Sequence, residues 1–383
     1  MYYKITLKPL DNYFFGTNKK FYRKKDKTQN ERTNYNIDSY KWPQQTSLLG
    51  MLRKQALIWN GEFKANGEYS NLKTIKSLIG ENGFQLSEEP TSLKPEERYG
   101  VIKKISPVFL EQDGQTYTEG PFDIANMVES ENSPEEKKGA NIKINESVSA
   151  AIKEISLNGK QRKNYVISDY NSKSGFGETY VQLGEPLYLI KTKKDFFQAS
   201  TMLQVKIQKN QETELFRKEK YNLKSKTVFV FYAEIDNLNI TSKKEIVFIG
   251  GDKSAFELEI SKVEDWLPEL LTESFDTKFD LNGSQYAKIY ALSDIYLTQE
   301  QYDKFYKEVC GGSINYTNFN CFTQKINTIN RSYKGNGLQN SRHKMIKRGS
   351  FFIVEEKFRD DLKKMIEIDN EKFKQIGYNY IIG

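Results

Sequence analysis

Thr227-Val-Phe-Val-Phe-Tyr-Ala-Glu-Ile235 is the strongest strand signal in this chain. β-branched and aromatic residues dominate it, and that composition favours a packed, pleated strand over a helix. Directly after it, Asp236-Asn237-Leu238-Asn239 is a polar, turn-forming stretch and the best candidate for a domain boundary. We therefore expect one domain over residues 1–238 and a second over residues 239–383.

Further strands and a few helices flank this segment on both sides. Short apolar runs predict strands, and apolar residues at i, i+3, i+4 and i+7 predict helices. The predicted strands cover residues 2–8, 202–207, 245–249, 287–292, 349–354 and 376–382. The predicted helices cover residues 46–57, 72–79, 299–309 and 358–366. Strands interleaved with only a few helices indicate an α+β fold, in which helices cover one face of each sheet.

Capping residues mark where some of these helices begin and end. Thr46 is the predicted N-cap of the first helix, and Gly80 is predicted to end the second. Thr298 and Gln301 have the spacing of a capping box at the start of the third helix, and Gly311 with the glycine after it is predicted to end it. Between residues 111 and 181 the sequence is polar and irregular, which predicts inserted loops.

Length and composition limit the class of protein. A chain of 383 residues is too long for one small core, and its 24 Tyr and 24 Phe residues exclude general disorder. Cys310 and Cys321 give no disulfide framework, and with one histidine they leave the ligand set of a structural zinc site incomplete. The first residues read as a strand rather than a signal peptide, and no apolar run reaches the length of a membrane-spanning helix. We expect a soluble, cytoplasmic protein without a membrane partner.

One acid-free stretch carries the whole excess of positive charge. The chain has 58 Lys and Arg residues against 51 Asp and Glu residues. From residue 311 to residue 354 there is no acidic residue, and without the cations of this stretch the two counts are equal. These cations are Lys325, Arg331, Lys334, Arg342, Lys344, Lys347 and Arg348. A patch of one sign on an otherwise balanced protein is typical of a surface that binds a polyanion, and nucleic acid is the first candidate.

The alternative interpretation is that this stretch is only a charged face in contact with solvent. Two features of neighbouring residues favour a binding surface instead. Gly335-Asn336-Gly337 allows the backbone to approach a ligand closely. Tyr333 and Phe351 place aromatic rings beside the charges, where an unstacked base could lie. Single-stranded RNA fits this combination better than duplex DNA does.

Motifs for catalysis are almost missing from the sequence. It contains no Walker loop, HExxH, GxSxG or dinucleotide-binding glycine motif, and it suggests no cofactor. His343, the only histidine, could act as a ribonuclease base with Lys344 or Arg342 as an electrostatic partner. The alternative is that His343 contacts phosphate or is merely exposed. The run Gly250-Gly251-Asp252-Lys253 has a lysine where a metal pair needs a second carboxylate, so it predicts a tight turn.

The start of the first helix is a second candidate site. Trp42-Pro43 leads into Thr46, which predicts unused backbone N–H groups at Thr46, Ser47 and Leu48. Such a helix end accepts phosphate through its donors and its dipole. Arg53 and Lys54 follow one or two turns later. The alternative is an ordinary first helix of a domain, with Arg53 and Lys54 in solvent.

Four segments together resemble a known family. They are residues 7–16 (LKPLDNYFFG), 42–53 (WPQQTSLLGMLR), 216–223 (FRKEKYNL) followed by 229–235 (FVFYAEI), and 348–352 (RGSFF). They are similar to the RAMP-superfamily subunit of type III-B (Cmr) CRISPR effector complexes that binds the 5′ tag of the crRNA. Residues 216–223 and 229–235 resemble its central strand pair. RNA-processing RAMP proteins have a glycine-rich loop near the carboxyl end. In this chain that motif is incomplete, since only Gly377 and Gly383 remain there, and this argues against an autonomous crRNA-cutting enzyme.

The resemblance implies two ferredoxin-like (RRM-like) domains with inserted loops, the first with its insertion around residues 111–181. It implies a non-catalytic subunit that caps the crRNA 5′-tag end. The implied partners are the crRNA, the large polymerase/cyclase-like subunit and a backbone RAMP subunit, with the 3′ flank of the target RNA as a further candidate. The family motifs put Thr46, Ser47, Arg53, Arg348, Gly349 and Ser350 against RNA. Charge alone adds Lys54, Arg331, Lys334, Arg342, His343, Lys344 and Lys347.

Two hypotheses from different classes follow. The leading one is a crRNA-binding scaffold, in which cations and helix-end amides hold the backbone of a single strand and aromatic faces stack its bases. The alternative is a metal-independent crRNA-processing ribonuclease of the RAMP type that uses His343.

Overall fold

A computed structural model describes residues 1–22, 35–63, 71–80, 99–120, 141–142, 150–157, 160–167, 179–183, 188–207, 213–236, 240, 242–250, 252–266, 278–281, 284–324 and 338–383. The strands are β1 (Tyr2–Pro9), β2 (Phe15–Tyr22), β3 (Tyr35–Tyr40), β4 (Ile102–Ile105), β5 (Phe109–Gln112), β6 (Gln115–Glu119), β7 (Asn141–Ile142), β8 (Ala150–Leu157), β9 (Lys160–Ile167), β10 (Thr179–Gln182), β11 (Tyr188–Thr192), β12 (Phe197–Ile207), β13 (Thr213–Leu223), β14 (Thr227–Ile235), β15 (Ser242–Ile249), β16 (Ser254–Val263), β17 (Lys278–Leu281), β18 (Ser284–Ala291), β19 (Val309–Ser313), β20 (Tyr316–Gln324), β21 (Leu338–Ile346), β22 (Phe351–Glu355) and β23 (Ile381–Ile382). The helices are α1 (Gln45–Trp59), α2 (Leu72–Ile79), α3 (Lys193–Phe196), α4 (Gln299–Glu308), α5 (Glu356–Lys363) and α6 (Glu371–Lys374), with a π-helical turn (Lys364–Ile368) after α5.

The strands form four sheets that are mostly antiparallel, so the predicted α+β class is confirmed. A ten-stranded sheet has the order β15-β16-β1-β14-β5-β6-β10-β11-β7, with β4 also paired to β14. A seven-stranded sheet has the order β17-β18-β22-β19-β9-β8, with β23 also paired to β18. The other two are the four-stranded sheet β12-β13-β3-β2 and the hairpin β20-β21.

Strand β14, which has the strongest strand signal in the sequence, contributes several side chains to a large apolar core. Ile5 and Leu7 of β1 lie opposite Phe231 and Phe229 in an antiparallel register. All four side chains are fully buried, in one apolar cluster with Leu48 of α1. Burying each large apolar side chain stabilises the fold by about 1.5–3 kcal/mol. Val230 and Tyr232, which point to the other face of β14, are buried as well, so both faces of the strand are covered and nearly every position is apolar.

Each of the two larger sheets contains a set of four neighbouring strands whose order in the sheet, relative to their order in the chain, is the same. Helices lie in the connections between strands of each set. In the ten-stranded sheet the neighbours are β16, β1, β14 and β5, and α1 lies in the connection from β1 to β5. In the seven-stranded sheet the neighbours are β23, β18, β22 and β19. There α4 connects β18 to β19, and α5 lies in the connection from β22 to β23.

The sheets do not divide at residue 238. Strands β15 and β16 follow the predicted boundary but belong to the first sheet, where β16 pairs with β1 and β15 pairs with β16. Strands β8 and β9, which fall in the predicted insertion, join the seven-stranded sheet through a parallel pairing of β9 with β19. Strand β1 needs a neighbour on each edge, and residues 254–263 supply the second one. Local composition around residues 236–239 carries no signal for that pairing.

Several predicted boundaries need correction. Helix α4 has the predicted Thr298–Gln301 capping box but ends at Glu308, and Gly311 and Gly312 lie in β19 instead of capping the helix. A Cβ at Gly312 would lie 2.3 Å from the Phe351 carbonyl oxygen, so these glycines allow close strand pairing. The late strand begins at Phe351 rather than at residue 349, and the last predicted strand is reduced to β23. Segments 216–223 and 229–235 lie in different sheets.

Other predicted elements are confirmed. Helix α2 ends at Gly80. The turn after β15 begins at Gly250, whose carbonyl accepts the N–H of Lys253 at 3.1 Å. None of the helices in the described residues is both long and apolar enough to cross a membrane.

Candidate nucleic-acid interface

An open cleft lies between the start of α1 and the turn before β22. It brings together two of the segments that the sequence singles out, one near each end of the chain. The residues that line it are Tyr40, Trp42, Pro43, Gln44, Gln45, Ser293, Asp294, Thr317, Lys347, Arg348 and Tyr378. Of the residues predicted to contact RNA, only Lys347 and Arg348 are among them.

The helix that borders the cleft begins one residue earlier than predicted. Gln44 is the N-cap, with extended backbone and no side-chain capping bond, so Thr46 is the second helical residue and the predicted Thr46 cap is wrong. The N–H groups of Ser47 and Leu48 donate to the Gln44 carbonyl at 2.9 and 3.1 Å. The N–H groups that no preceding helical carbonyl can accept are therefore those of Gln45 and Thr46. The first turn contains no acidic residue, so its positive end is not neutralised within the helix.

Gln45 and Trp42 line the same end of the cleft. Gln45 is 2% exposed, and its Nε2 donates to the Gly377 carbonyl at 3.4 Å. Within the described part of the chain, Gln45 Oε1 and Trp42 Nε1 are buried and have no hydrogen-bond partner. Gly377 has φ +90°, and a Cβ there would lie 2.8 Å from the Gln45 side-chain carbonyl carbon. The absence of a side chain at residue 377 therefore leaves room for Gln45.

Arg348 also lines the cleft and is almost wholly buried. Its Nη1 donates to the Val108 carbonyl at 3.0 Å, and its guanidinium carbon lies 4.4 Å from the centre of the Trp42 ring. Its backbone N–H donates to Asp294 Oδ1 at 2.9 Å. Burial lowers the pKa of Arg348 and raises the pKa of Asp294, and in each case the opposite charge of the partner counteracts the shift. The charge of Arg348 therefore holds the wall of the cleft in place from inside the protein.

The residues around Arg348 form a turn that the strand prediction missed. Lys347 Nζ lies 2.6 Å from Glu119 Oε1, and its backbone N–H donates to the Asn315 carbonyl. Gly349 has φ +79°, and its N–H donates to the Ala291 carbonyl at 2.9 Å. Ser350 is fully buried, and its Oγ accepts the N–H of Asn315 at 3.0 Å. Gly349 and Ser350 thus fix the backbone behind the cleft.

The hairpin β20–β21 carries part of the acid-free stretch. Arg342, His343 and Lys344 lie in β21, opposite Asn320, Phe319 and Asn318. At its base, Thr317 lines the cleft and hydrogen-bonds to the Tyr40 hydroxyl at 3.3 Å. The hairpin is therefore continuous with the cleft. Arg331 and Lys334 lie outside the described residues, as do the side chains of Arg342 and His343.

Lys344 combines an exposed charge with aromatic rings. Its Nζ lies 3.6 Å from the centre of the Tyr316 ring, and the Tyr316 hydroxyl contacts the hydroxyl of Tyr306. Burial is the main cause that raises the pKa of Tyr316 above its usual value. Because Tyr306 is 48% exposed, this group offers both a cation and an aromatic surface to solvent.

Arg53 and Lys54 are not brought to the cleft. Arg53 is half-buried with its guanidinium carbon 5.7 Å from the centre of the Tyr99 ring, and burial lowers its pKa to about 10. Lys54 is exposed, with Nζ 5.3 Å from the centre of the Phe63 ring. Thr46 and Ser47 are half-buried in the first turn of α1.

Sequence reasoning missed most of the polar cleft residues. Gln44 and Gln45 stand between a proline and an apolar helix, which was a usable signal for polar groups at a helix start. Asp294, Thr317 and Tyr378 gave no such signal, because only the tertiary fold brings them to the cleft. Among the described residues, no group of His, Cys, Asp and Glu side chains is arranged to hold a metal ion. The cleft is thus lined by the start of α1, by aromatic rings and by the charged residues Asp294, Lys347 and Arg348.

Solved structures of similar chains include two cryo-EM structures of the type III-B Cmr-beta complex bound to cognate target RNA. The first matches with TM-score 0.47 and 16% identity, and the second, which also contains AMPPnP (state 1), with TM-score 0.45 and 15% identity. Each covers 99% of this chain and 96% of the other. A chain in the crystal structure of the Csm3–Csm4 subcomplex of the type III-A CRISPR-Cas interference complex matches with TM-score 0.35 and 12% identity, covering 91% of this chain and 92% of that one.

A comparison with curated protein sequences finds no match. A family model described as CRISPR-associated protein (Cas_Cmr3) matches residues 5–383. That match spans nearly the whole chain and confirms the resemblance to Cmr proteins that the short motifs indicated. This chain therefore belongs to the Cas_Cmr3 family of CRISPR-associated proteins.

Proposed function

We propose that this chain is a non-catalytic crRNA-binding structural subunit of a type III-B CRISPR effector complex. In this proposal it caps the crRNA at its 5′-tag end, beside the large polymerase/cyclase-like subunit and a backbone RAMP subunit. The 3′ flank of the target RNA is a further partner, and the complex acts in the cytoplasm. Family membership supplies the setting, and one observation carries the assignment: the start of α1 and the turn at Lys347 and Arg348 line one cleft.

The two sets of four strands are, in this proposal, two ferredoxin-like units. That fold has the chain order βαββαβ and the spatial order fourth, first, third, second strand. The set β23, β18, β22 and β19 follows this order, with α4 and α5 in the two helical positions. The set β16, β1, β14 and β5 follows the same strand order with α1 in the first helical position, whereas β15 precedes its fourth strand.

The proposed binding mechanism combines backbone contacts with stacking. The N–H groups at the start of α1 and the cations of β21 bind phosphates, which fix the position of the strand. Aromatic rings such as Tyr306 and Tyr316 lie beside the exposed Lys344 and can stack bases. Phosphate contacts give affinity that depends on salt, and stacking is tolerant of sequence.

The proposal is tested by removing two cations of the hairpin. Arg342→Ala with Lys344→Ala in the full chain should weaken binding of a tagged crRNA by roughly 1–3 kcal/mol and reduce the salt dependence of the affinity. The control is Lys244→Ala with Lys262→Ala, which removes two exposed cations from β15 and β16 in another sheet. Binding and salt dependence equal to those of the wild type in the hairpin variant would contradict the assignment.

A cleavage assay tests the non-catalytic part. The full chain is incubated with repeat RNA without added metal, and the products are resolved on a gel. We expect bound but intact RNA. Cleavage that disappears in a folded His343→Ala variant would overturn the scaffold assignment in favour of the ribonuclease.

A further inference from the structure

Two buried polar atoms of residues that line the cleft have complementary hydrogen-bonding character. Gln45 Oε1 is an acceptor and Trp42 Nε1 is a donor, and neither has a partner in the described residues. Leaving a buried polar atom unpaired is unfavourable, so such atoms point to a ligand or a water. Both residues line the cleft, and both lie next to the start of α1.

The orientation of the Gln45 amide follows from its other contact. Its nitrogen donates to the Gly377 carbonyl, and a carbonyl oxygen can only accept. Turning the amide over would place two oxygens against each other at that contact. The NH₂ group must therefore face Gly377, which leaves Oε1 as the atom without a protein donor.

The pair selects a class of ligand group. A single hydroxyl can donate to Gln45 Oε1 and accept from Trp42 Nε1, whereas a phosphate oxygen can only accept. The adjacent helix end, with the N–H groups of Gln45 and Thr46, favours a phosphate. In a nucleic acid the group bonded directly to each phosphate is the sugar. RNA differs from DNA at that place by one hydroxyl, the 2′-OH, which is both a donor and an acceptor.

We infer that the cleft holds the ribose of one crRNA nucleotide, with its 2′-hydroxyl bonded to Gln45 Oε1 and Trp42 Nε1, so that this site distinguishes RNA from DNA. The inference rests on the proposed crRNA-binding function. Trp42 keeps its ring fixed through its contact with Arg348, so its N–H is held in place before RNA binds.

The test uses the full chain and a set of tagged RNAs, each with one nucleotide replaced by its 2′-deoxy form. We expect one position at which the deoxy RNA binds roughly tenfold more weakly than the all-ribose parent, because two buried polar atoms lose their partner. In Gln45→Met and Trp42→Phe the difference between ribose and deoxyribose at that position should shrink to about twofold or less. Gln55→Met is the matched control: Gln55 is also buried in α1 but donates to Glu245 at 2.7 Å.

The outcomes separate this inference from the proposed function. If the parent RNA binds and every deoxy substitution is neutral, the cleft holds water only, the inference is overturned and the crRNA-binding function stands. If the tagged RNA does not bind at all, both are overturned. If discrimination persists in both cleft variants, another site reads the hydroxyl and the inference is wrong. The comparison of ribose with deoxyribose RNA on the unaltered chain decides the matter even where a variant fails to fold.

Discussion

The count of charges along the sequence identified Arg348 as a candidate site residue, and Arg348 does line the cleft. The count could not show that Arg348 is buried. The acid that faces it, Asp294, lies 54 residues upstream, and only the fold brings the two together. Replacing one partner of a buried pair leaves an uncompensated charge. A cation near the surface and one inside the protein look the same in a sequence, so the residues that shape the cleft could not be separated from those that face solvent.

Arg348→Met should therefore destabilise the protein by roughly 1–3 kcal/mol, because the Val108 carbonyl loses its buried hydrogen-bond donor and Asp294 loses a nearby positive charge. The double variant Arg348→Met with Asp294→Asn should be at least about 1 kcal/mol more stable than the single variant. Denaturant titration gives both free energies of unfolding. Equal stability of the single and double variants would show that the two charges do not interact.

Gly377→Ala should cost roughly 3 kcal/mol and also reduce the preference for ribose in the cleft. The new Cβ would lie 2.4 Å from the Ser106 carbonyl oxygen and 2.8 Å from the Gln45 side chain. Gly114→Ala is the control, since Gly114 also has positive φ but has no atom within 4 Å of its Cβ position; it should cost only about 1 kcal/mol. Similar losses in the two variants would mean that backbone strain alone, and not the contact with Gln45, limits residue 377.

At the scale of elements, local sequence patterns predicted which helices and strands exist better than they predicted the residues at which those elements begin and end. The capping box at Thr298 and Gln301 is present because both of its hydrogen bonds form within four residues. Thr46 failed as a cap because the helix begins directly after Pro43, and Gln44, two residues before Thr46, takes the N-cap position. Gly311 and Gly312 look like a helix stop, but tertiary pairing of β19 with β22 determines their conformation.

Thr298→Ala should destabilise the protein by about 1 kcal/mol, because the threonine side chain accepts the N–H of Gln301 at 3.3 Å. Thr46→Ala should cost less than about 0.5 kcal/mol, because Thr46 lies inside the first turn and does not cap it. The comparison is made by denaturant unfolding of both variants. A larger loss at Thr46 than at Thr298 would contradict the observed start of α1.

At the scale of the whole molecule, the α+β class followed from the alternation of strand and helix patterns, whereas the sheet pairings did not. Strand β1 lies between β14 and β16, and the residues that pair are more than two hundred positions apart in sequence. Hydrophobic pattern defines which face of a strand is buried, but not which strand lies beside it. The cleft shares this property, because its two walls come from opposite ends of the chain.

Buried tyrosines give the molecule a predictable response to alkaline pH. Burial, and next the charge of Glu111, raises the pKa of Tyr232 from 10.0 to about 12. The unfolded chain releases this proton near pH 10 while the folded chain retains it, so the contribution is complete below pH 10 and is lost as pH rises toward 12. Burial raises the pKa of Tyr13, Tyr302 and Tyr380 as well, which adds to the same loss.

We expect the free energy of unfolding to fall steadily between about pH 10 and pH 12, and Tyr232→Phe to reduce that fall by roughly 1–2 kcal/mol at pH 11.5. Urea titrations at several pH values between 8 and 11.5 measure both curves. Tyr2→Phe is the control, since Tyr2 is only half-buried in β1. If Tyr232→Phe and the wild type lose stability in parallel across this range, Tyr232 ionises equally in the folded and unfolded chains, and its burial has no part in the alkaline response.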